Sequence, residues 1–391
     1  MRARLPSEDV LRPAWAEVDL DALRHNLAHL RKRTHPARAL AVIKADAYGH
    51  GAVAVGRELA AAGVDWLGVA LVEEAAALRQ GGIDAPILVL GPAQEPQLPL
   101  FGRYRLTPTV SSLAQLALWR DFAAGSASRM PIHLEVDTGM TRLGISIDEC
   151  GEALAMVRRS SGLALAGLLS HLADADLPDS PHNSEQIERF AALIGLLRPE
   201  EREGVEVHLA NTAGALHHPA GRHSLVRLGL GLFGLDPAAR EEGLRPILAV
   251  KARVVLVRDV PAGVALGYGG LRTTTRPSRI AVLPVGYGDG YGWRLSNRSE
   301  VLLGGRRAPV AGAVSMDLIV VDATDTGAAL GDEAVLLGRQ DGEEITAAEL
   351  ARLAGTIPYE ILCALGLRLT RRYRRGGEVT EETSRFTTAL P

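Results

Sequence analysis

Between about residue 15 and residue 235, short aliphatic runs alternate with amphipathic segments, and few folds accommodate that pattern. The runs are Ala39–Ile43, Trp66–Leu71, Pro86–Leu90, Arg105–Val110, Ile132–Val136, Leu163–Ser170, Val205–Leu209 and Leu225–Leu230. Between them lie helical patterns such as Val53–Ala62, Glu73–Gln80, Ser112–Ala123, Glu149–Arg159 and Ser184–Leu197. Several open on Ser or Asp and close near Gly, the usual start and stop chemistry of helices. Eight strands with intervening helices predict an α/β chain whose first part is a (β/α)8, TIM-like barrel. A helix over Asp21–Arg31 precedes the first strand, and Asn211–Ala220 has room for only a turn or two.

After about residue 245 the texture changes. Val250–Val257, Arg279–Val285, Glu300–Leu303, Ala308–Val310, Leu318–Val321 and Glu333–Leu337 are β-like and punctuated by Gly-rich turns. Only Thr346–Leu353 and Tyr359–Ala364 read as helical there. The expected division is a barrel domain over residues 1–240 and a mostly β domain over 241–391. Hydrophobic content of 47% against 4% aromatics makes both cores aliphatic. With a net charge of −3 and one short basic cluster, Arg371–Arg375, read as a solvated strand, nothing favours nucleic acid or an anionic membrane. Cys150 and Cys363 are isolated, which suits a reducing compartment and excludes a disulfide framework. The basic N-terminus is followed by no apolar stretch, and no run approaches the roughly 20 residues of a membrane span. A cytoplasmic protein is expected.

Within this frame one residue stands out. Of 43 basic residues only Lys32, Lys44 and Lys251 are lysine; elsewhere the chain uses arginine. Lys44 ends the run Leu40-Ala41-Val42-Ile43 and opens a loop, Ala45-Asp46-Ala47-Tyr48-Gly49-His50-Gly51. A primary amine can lose its proton when desolvated and attack a carbonyl, whereas a guanidinium cannot. The placement points to Schiff-base chemistry, set against a strand-end lysine whose stem packs and whose ammonium reaches water.

Barrel enzymes carry their catalytic groups at the C-terminal ends of the strands. Those ends hold Lys44 and Tyr48, then Asp137–Arg142, His171, Asn211 and Thr212, and finally Arg227 with Gly229. Gly229-Leu230-Gly231-Leu232-Phe233-Gly234 matches GxGxxG, but it lies at the eighth strand and no long helix follows, so it is not a dinucleotide fingerprint. It fits the phosphate cup that barrels build after strands 7 and 8, with a hydroxyl from Thr212. Such a cup opposite an amine suggests pyridoxal 5′-phosphate (PLP). His217, His218 and His223 read as a solvated loop, and His171 has no second ligand at i+4, so no metal is expected.

These residues and several longer stretches resemble the PLP-dependent alanine racemases. The similarity runs through Trp15–Leu23, Ala41–Gly51, Asp137–Gly144, Ser170–Asp176, Asn211-Thr212, Val226–Gly229, Gly267–Gly269, Val285–Tyr291, Ser315–Asp317 and Thr356–Glu360, in order along nearly the whole chain. The resemblance implies interconversion of L- and D-alanine, supplying D-alanine for peptidoglycan, in a homodimer with shared active sites. Lys44 would carry PLP and act as one acid/base, and Tyr268 of the partner subunit would be the other. Arg227 would contact the pyridine nitrogen, and His171 would orient Arg227. Tyr48, Thr212, Gly229, Leu230 and Tyr359 would bind the phosphate, with Asn211 alongside. Arg142 would hold the substrate carboxylate, and Met316 and Asp317 would complete the partner's site.

The chain departs from the family pattern in places. Glu135 stands where many relatives have a lysine carboxylated to support the arginine at Arg142. Ser315 replaces a common Cys, Thr212 a common Ser, Ala313 a frequent access-channel arginine, and Leu228 a usual Pro. The related PLP decarboxylases offer a catalytic Cys and a Glu for the pyridine nitrogen, where this chain has Arg227.

Overall fold

The computed structural model describes residues 12–125 and 128–384. The N-terminal stretch read above for a signal lies outside the described residues up to Leu11. The described residues divide into two units, one built from residues 22–47 and 51–246, the other from residues 12–21, 48–50 and 247–384.

The first unit is a parallel sheet of eight strands: β1 (Arg38–Val42), β2 (Trp66–Val69), β3 (Ile87–Val89), β4 (Thr107–Val110), β5 (Met130–Glu135), β6 (Leu163–Leu169), β7 (Glu206–His208) and β8 (Leu225–Leu228). Ladders join them consecutively from β1 to β7, and β8 returns to pair with β1. Among the described residues no ladder joins β7 to β8. That gap is bridged by Arg227 N–H donating to Ala210 O at 2.9 Å and by the Ser224 hydroxyl, which accepts from Val207 N–H at 2.8 Å. The sequence reading placed each strand within three residues of its observed bounds. Helices over Ala52–Ala61, Val72–Gln80, Leu113–Ala123, Cys150–Arg159 and Pro181–Ile194 follow the predicted pattern, and Thr212–His217 is short as expected.

Barrel interiors are ordinarily layers of branched aliphatics. Here Leu40 and Leu169 fill that role, but His133, Glu135, His208 and Arg227 are buried on the same face beside them. Room for the first of these comes from Gly167, in register with His133 on the neighbouring strand. A Cβ at Gly167 would lie 2.2 Å from His133 Nδ1, so the strand can hold nothing larger there.

The predicted loop after β1 is corrected by the structure. Ala45, Asp46, Ala47 and Tyr48 have φ of 52°, 54°, 54° and 53°, followed by Gly49 at 82°, forming one turn of left-handed helix. Each non-glycine residue in that conformation costs about 1–2 kcal/mol because Cβ crowds the following carbonyl. Bonds from Ala47 N–H to Ile43 O (2.9 Å) and from Gly51 N–H to Asp46 O (2.8 Å) close the turn.

The second unit is built on a sheet ordered Arg306–Pro309, Glu300–Leu303, Glu333–Gln340, Leu248–Arg253, Ala14–Asp19, Thr370–Arg375, Glu378–Thr383, with Glu343–Ile345 added on Glu333–Gln340. The strand Ala14–Asp19, which local pattern alone did not separate, pairs antiparallel with Leu248–Arg253 and parallel with Thr370–Arg375. A three-stranded sheet (Leu256–Val260, Ser278–Leu283, Ile319–Asp322) and helices Ala347–Ala354 and Pro358–Ala364 complete the unit. The single run predicted over Val250–Val257 is two strands in different sheets.

Two further expectations are overturned. Arg371–Arg375 is a strand but not a solvated one. Arg371 is buried and donates to Gly49 O (2.9 Å) and Leu365 O (3.1 Å), while the Arg372 guanidinium lies 4.8 Å from the Trp15 ring centre. The histidines after β7 are not solvated either. His217 bonds Asp236 at 2.9 Å, and a ring nitrogen is buried in both His218 and His223.

Candidate active site

Arg227 projects from β8 and is 3% exposed. Its Nη1 donates to His208 O (2.9 Å) and His208 Nδ1 (3.0 Å), and its Nη2 to Ser170 O (2.7 Å), Leu209 O (2.9 Å) and His171 Nδ1 (2.9 Å). The ends of β6 and β7 are thus fastened to β8 by one side chain. Burial lowers the Arg227 pKa to about 10, with Glu135 opposing and Arg142 adding to the fall, so the guanidinium stays charged at neutral pH.

A guanidinium can only donate, and this dictates the tautomers around it. His171 and His208 both accept at Nδ1, so each carries its proton on Nε2. His208 Nε2–H then donates to His133 Nδ1, 2.9 Å away, and leaves the His133 proton on Nε2. Burial, with Arg227 next, drives all three pKa values down: His133 to about 3, His171 and His208 well below the ordinary range. Arg142 and Lys44 also act on His171, so the charges of Lys44, Arg142 and Arg227 converge on it. All three rings are neutral at pH 7.

Glu135 is 7% exposed, and its Oε2 has no hydrogen-bond partner. Burial raises its pKa, opposed by Arg227 and then Arg142. No hydrogen bond joins it to Arg142 among the described residues; the pair interacts through charge alone. Arg142 itself is exposed on the loop after β5, where Asp137 Oδ1 accepts from Gly139 N–H (2.9 Å) and Thr141 N–H (3.0 Å).

The Gly-rich turn after β8 packs on the helix after β7. Thr212 Oγ1 accepts from Gly229 N–H at 2.9 Å, and a Cβ at Gly231 would lie 2.7 Å from Thr212 Cγ2. Asn211 Oδ1 caps that helix through Gly214 N–H at 2.9 Å. Leu230 opens the short 3-10 turn Leu230–Phe233, so its N–H has no partner within it. The close approach of the two backbones is what glycine permits and a side chain would block.

The structure therefore gathers Lys44, Arg142, His171, Asn211, Thr212, Arg227, Gly229 and Leu230 at or just beyond the C-terminal ends of the barrel strands. Sequence reasoning missed His208, His133 and the Ser170 carbonyl. Their signal, polar residues on inward-facing strand positions, has meaning only once the partner strand is known.

The remaining candidates belong to the second unit. Tyr48 and Tyr359 pack with ring centres 6.1 Å apart, and burial raises the Tyr48 pKa. Tyr268 opens a short 3-10 turn between Ala265–Leu266 and Arg272–Thr273 and is 76% exposed. Met316 O accepts from Gly288 N–H (2.9 Å), and its side chain is exposed. Asp317 pairs with Arg368 at 2.7 Å.

Comparison with known proteins places this arrangement. Residues 18–237 match the alanine racemase N-terminal domain and residues 247–373 the alanine racemase C-terminal domain. An alanine racemase of Symbiobacterium thermophilum is 46% identical over 378 residues, covering 95% of this chain and 99% of that protein. Alanine racemase from Clostridium difficile superposes with a TM-score of 0.89 at 33% identity, over 95% of this chain and 98% of that one. The enzyme from Bartonella henselae, solved with covalently bound pyridoxal phosphate, does so at 0.84 and 29%, over 93% and 99%. With both halves of the chain matched and the relatives covered nearly end to end, the chain belongs to the alanine racemase family of amino-acid isomerases.

Proposed function

We propose that the chain interconverts L- and D-alanine with PLP held covalently on Lys44, as part of a cytoplasmic homodimer that supplies D-alanine for peptidoglycan. The observation that carries the cofactor assignment is Arg227. Among the described residues its Nη atoms find five acceptors, and no acceptor meets its Nε–H. One oriented donor on a cation at the end of β8 suits a pyridine nitrogen, and the bound PLP of the Bartonella henselae enzyme is consistent with it.

When bound, PLP supplies an electron sink that acidifies the α-proton of an attached amino acid. Arg227 would keep its own proton, since its pKa near 10 lies far above that of a pyridine, and it would leave the ring nitrogen unprotonated. Thr212, Gly229 and Leu230 would take the phosphate, while Tyr48 and Tyr359 are assigned to it by sequence resemblance. Arg142, exposed and cationic, would hold the substrate carboxylate.

Racemisation removes a proton from one face of the α-carbon and delivers one to the other, so it needs two acid/base groups. Lys44 would serve one face. The other would fall to Tyr268 of the partner subunit. Its phenol is among the most exposed large side chains of the second unit, as are Leu271 and Met316, and a second copy of the chain would cover them.

The deciding experiment joins two readouts. Borohydride reduction of the PLP-loaded protein, followed by peptide mapping, should place a pyridoxyl group on Lys44. Both alanine enantiomers should exchange their α-protons in D2O. Decarboxylation without exchange, or no labelling at Lys44, would sink the proposal.

A further inference from the structure

The left-handed turn that begins at Lys44 is an arrangement that persists only where its surroundings over-determine it. Its internal bonds run to Ile43 and Asp46, and Asp46 Oδ1 also accepts from Ala52 N–H at 2.8 Å. Bonds also come from outside the segment: Arg371 donates to Gly49 O at the far end of the turn, and a carboxylate holds its start. Glu74, third residue of the helix Val72–Gln80, accepts Ala45 N–H on Oε1 at 2.6 Å. Its other oxygen accepts from Ala70 N–H at 2.8 Å and Leu71 N–H at 3.1 Å. A single carboxylate therefore ties the segment leaving β1 to the segment leaving β2.

Capping explains only part of this. A Glu at the third helical position commonly reaches back to the backbone before its own helix, which accounts for the bonds to Leu71 and Ala70. It does not account for Ala45, 29 residues away. The Ala45 N–H shares a rigid peptide plane with the Lys44 carbonyl. Holding that N–H fixes the plane on the C-terminal side of Lys44, and with it the direction in which the Lys44 side chain leaves the backbone.

We infer that Glu74 is a positioning residue for Lys44: its carboxylate anchors the left-handed turn so that the Lys44 amine is presented in one orientation. The inference rests on the reading of Lys44 as the amine that takes PLP. Charge-assisted bonds of this kind are about twice as strong as neutral ones. Their loss should be felt in how fast the amine is captured more than in whether the barrel folds.

Two variants separate the roles. Glu74→Gln keeps the shape but gives up one of the two accepting oxygens. Glu74→Asp keeps a negative charge at the helix N-terminus and gives up the reach to Ala45. Cofactor-free protein is mixed with PLP, sampled into borohydride, and the pyridoxyl label on Lys44 is followed by peptide mass, with the thermal unfolding midpoint measured alongside. Labelling of Glu74→Asp should be about tenfold slower or more, the change expected from losing one charge-assisted hydrogen bond, with the midpoint nearly unmoved. Exchange of the Ala45 amide with D2O should quicken in the same variant.

Wild-type labelling by Glu74→Asp, whatever Glu74→Gln does, overturns the role. So does slowing found only where the midpoint has dropped into the assay range, which marks a purely structural residue. A wild-type protein that takes no label at Lys44 is a different result, and removes the reading of Lys44 itself.

Discussion

Arg227 Nη2 donates to Nδ1 of His171 at 2.9 Å, and the same nitrogen also reaches two backbone carbonyls. His171 is therefore the one acceptor on Nη2 that can be changed without touching the main chain. His171→Ala should leave a folded protein whose racemase kcat is lower by about 10- to 100-fold, the range for loss of a hydrogen bond to a charged group. Steady-state kinetics in both directions test this, and an unchanged kcat would deny His171 an orienting role.

His133, His171 and His208 are held neutral by burial and by Arg227. Their folded pKa values lie below the ordinary value, so as pH falls the unfolded chain takes up protons first. Stability from this source is complete above pH of about 6.5 and is lost as pH drops below it, by up to about 1.4 kcal/mol per pH unit for each ring. For His133 the loss continues to a pH of about 3. Urea unfolding midpoints between pH 7.5 and 5 should fall steadily; a flat profile would mean the rings are already charged.

Glu135 has the opposite sign. Burial raises its pKa above the ordinary 4.5, so its ionisation costs folded-state stability, and that cost appears as pH rises through the raised value. Relative to wild type, Glu135→Gln should be no less stable at pH 8, and the comparison should shift in favour of wild type in acid. The variant also removes the counter-charge to Arg142 and Arg227. Its kcat/KM should drop by about tenfold, corresponding to about 1.4 kcal/mol of transition-state stabilisation. Paired melting curves and kinetics at two pH values check both statements.

Tyr268 is 76% exposed and no packing depends on its hydroxyl. Tyr268→Phe should change stability by less than about 0.5 kcal/mol. If the hydroxyl serves one face of the substrate, α-proton exchange from one enantiomer should slow by about 10²- to 10⁴-fold, the usual worth of a positioned acid/base, and far less for the other. Equal, small losses for both enantiomers would remove Tyr268 from proton transfer.

Much of the barrel was legible because its code is local. A buried parallel strand reads as a short aliphatic run and its helix as a 3.6-residue pattern, so Leu163–Leu169 and Cys150–Arg159 could be placed to within a residue. Lys44 and Arg227 were legible as candidates because the topology puts strand ends together. What escaped depended on distant partners or on unfavourable backbone. Nothing local predicts that Ala45-Asp46-Ala47-Tyr48 turns left-handed, since sterics oppose it at every residue. Nothing around Ala14–Asp19 says that it pairs with strands more than 200 residues away. The burial of Arg371 and the His133–His208 bond are likewise products of packing, invisible to a pattern that counts charge as surface.

The open ladder between β7 and β8 has a consequence for how this enzyme can change. Arg227 spans the seam, through its main-chain N–H to Ala210 and its side chain to the carbonyls of Ser170, His208 and Leu209. The group that would set the electronic character of the reaction is thus also the fastener of the scaffold. Replacing it would open buried carbonyls along two strands at once, so selection cannot retune the chemistry there without first rebuilding the wall. Adaptation is channelled instead to residues that touch Arg227 or share its field but close no seam, such as His171 and Glu135, where a change would alter the rate without opening the wall.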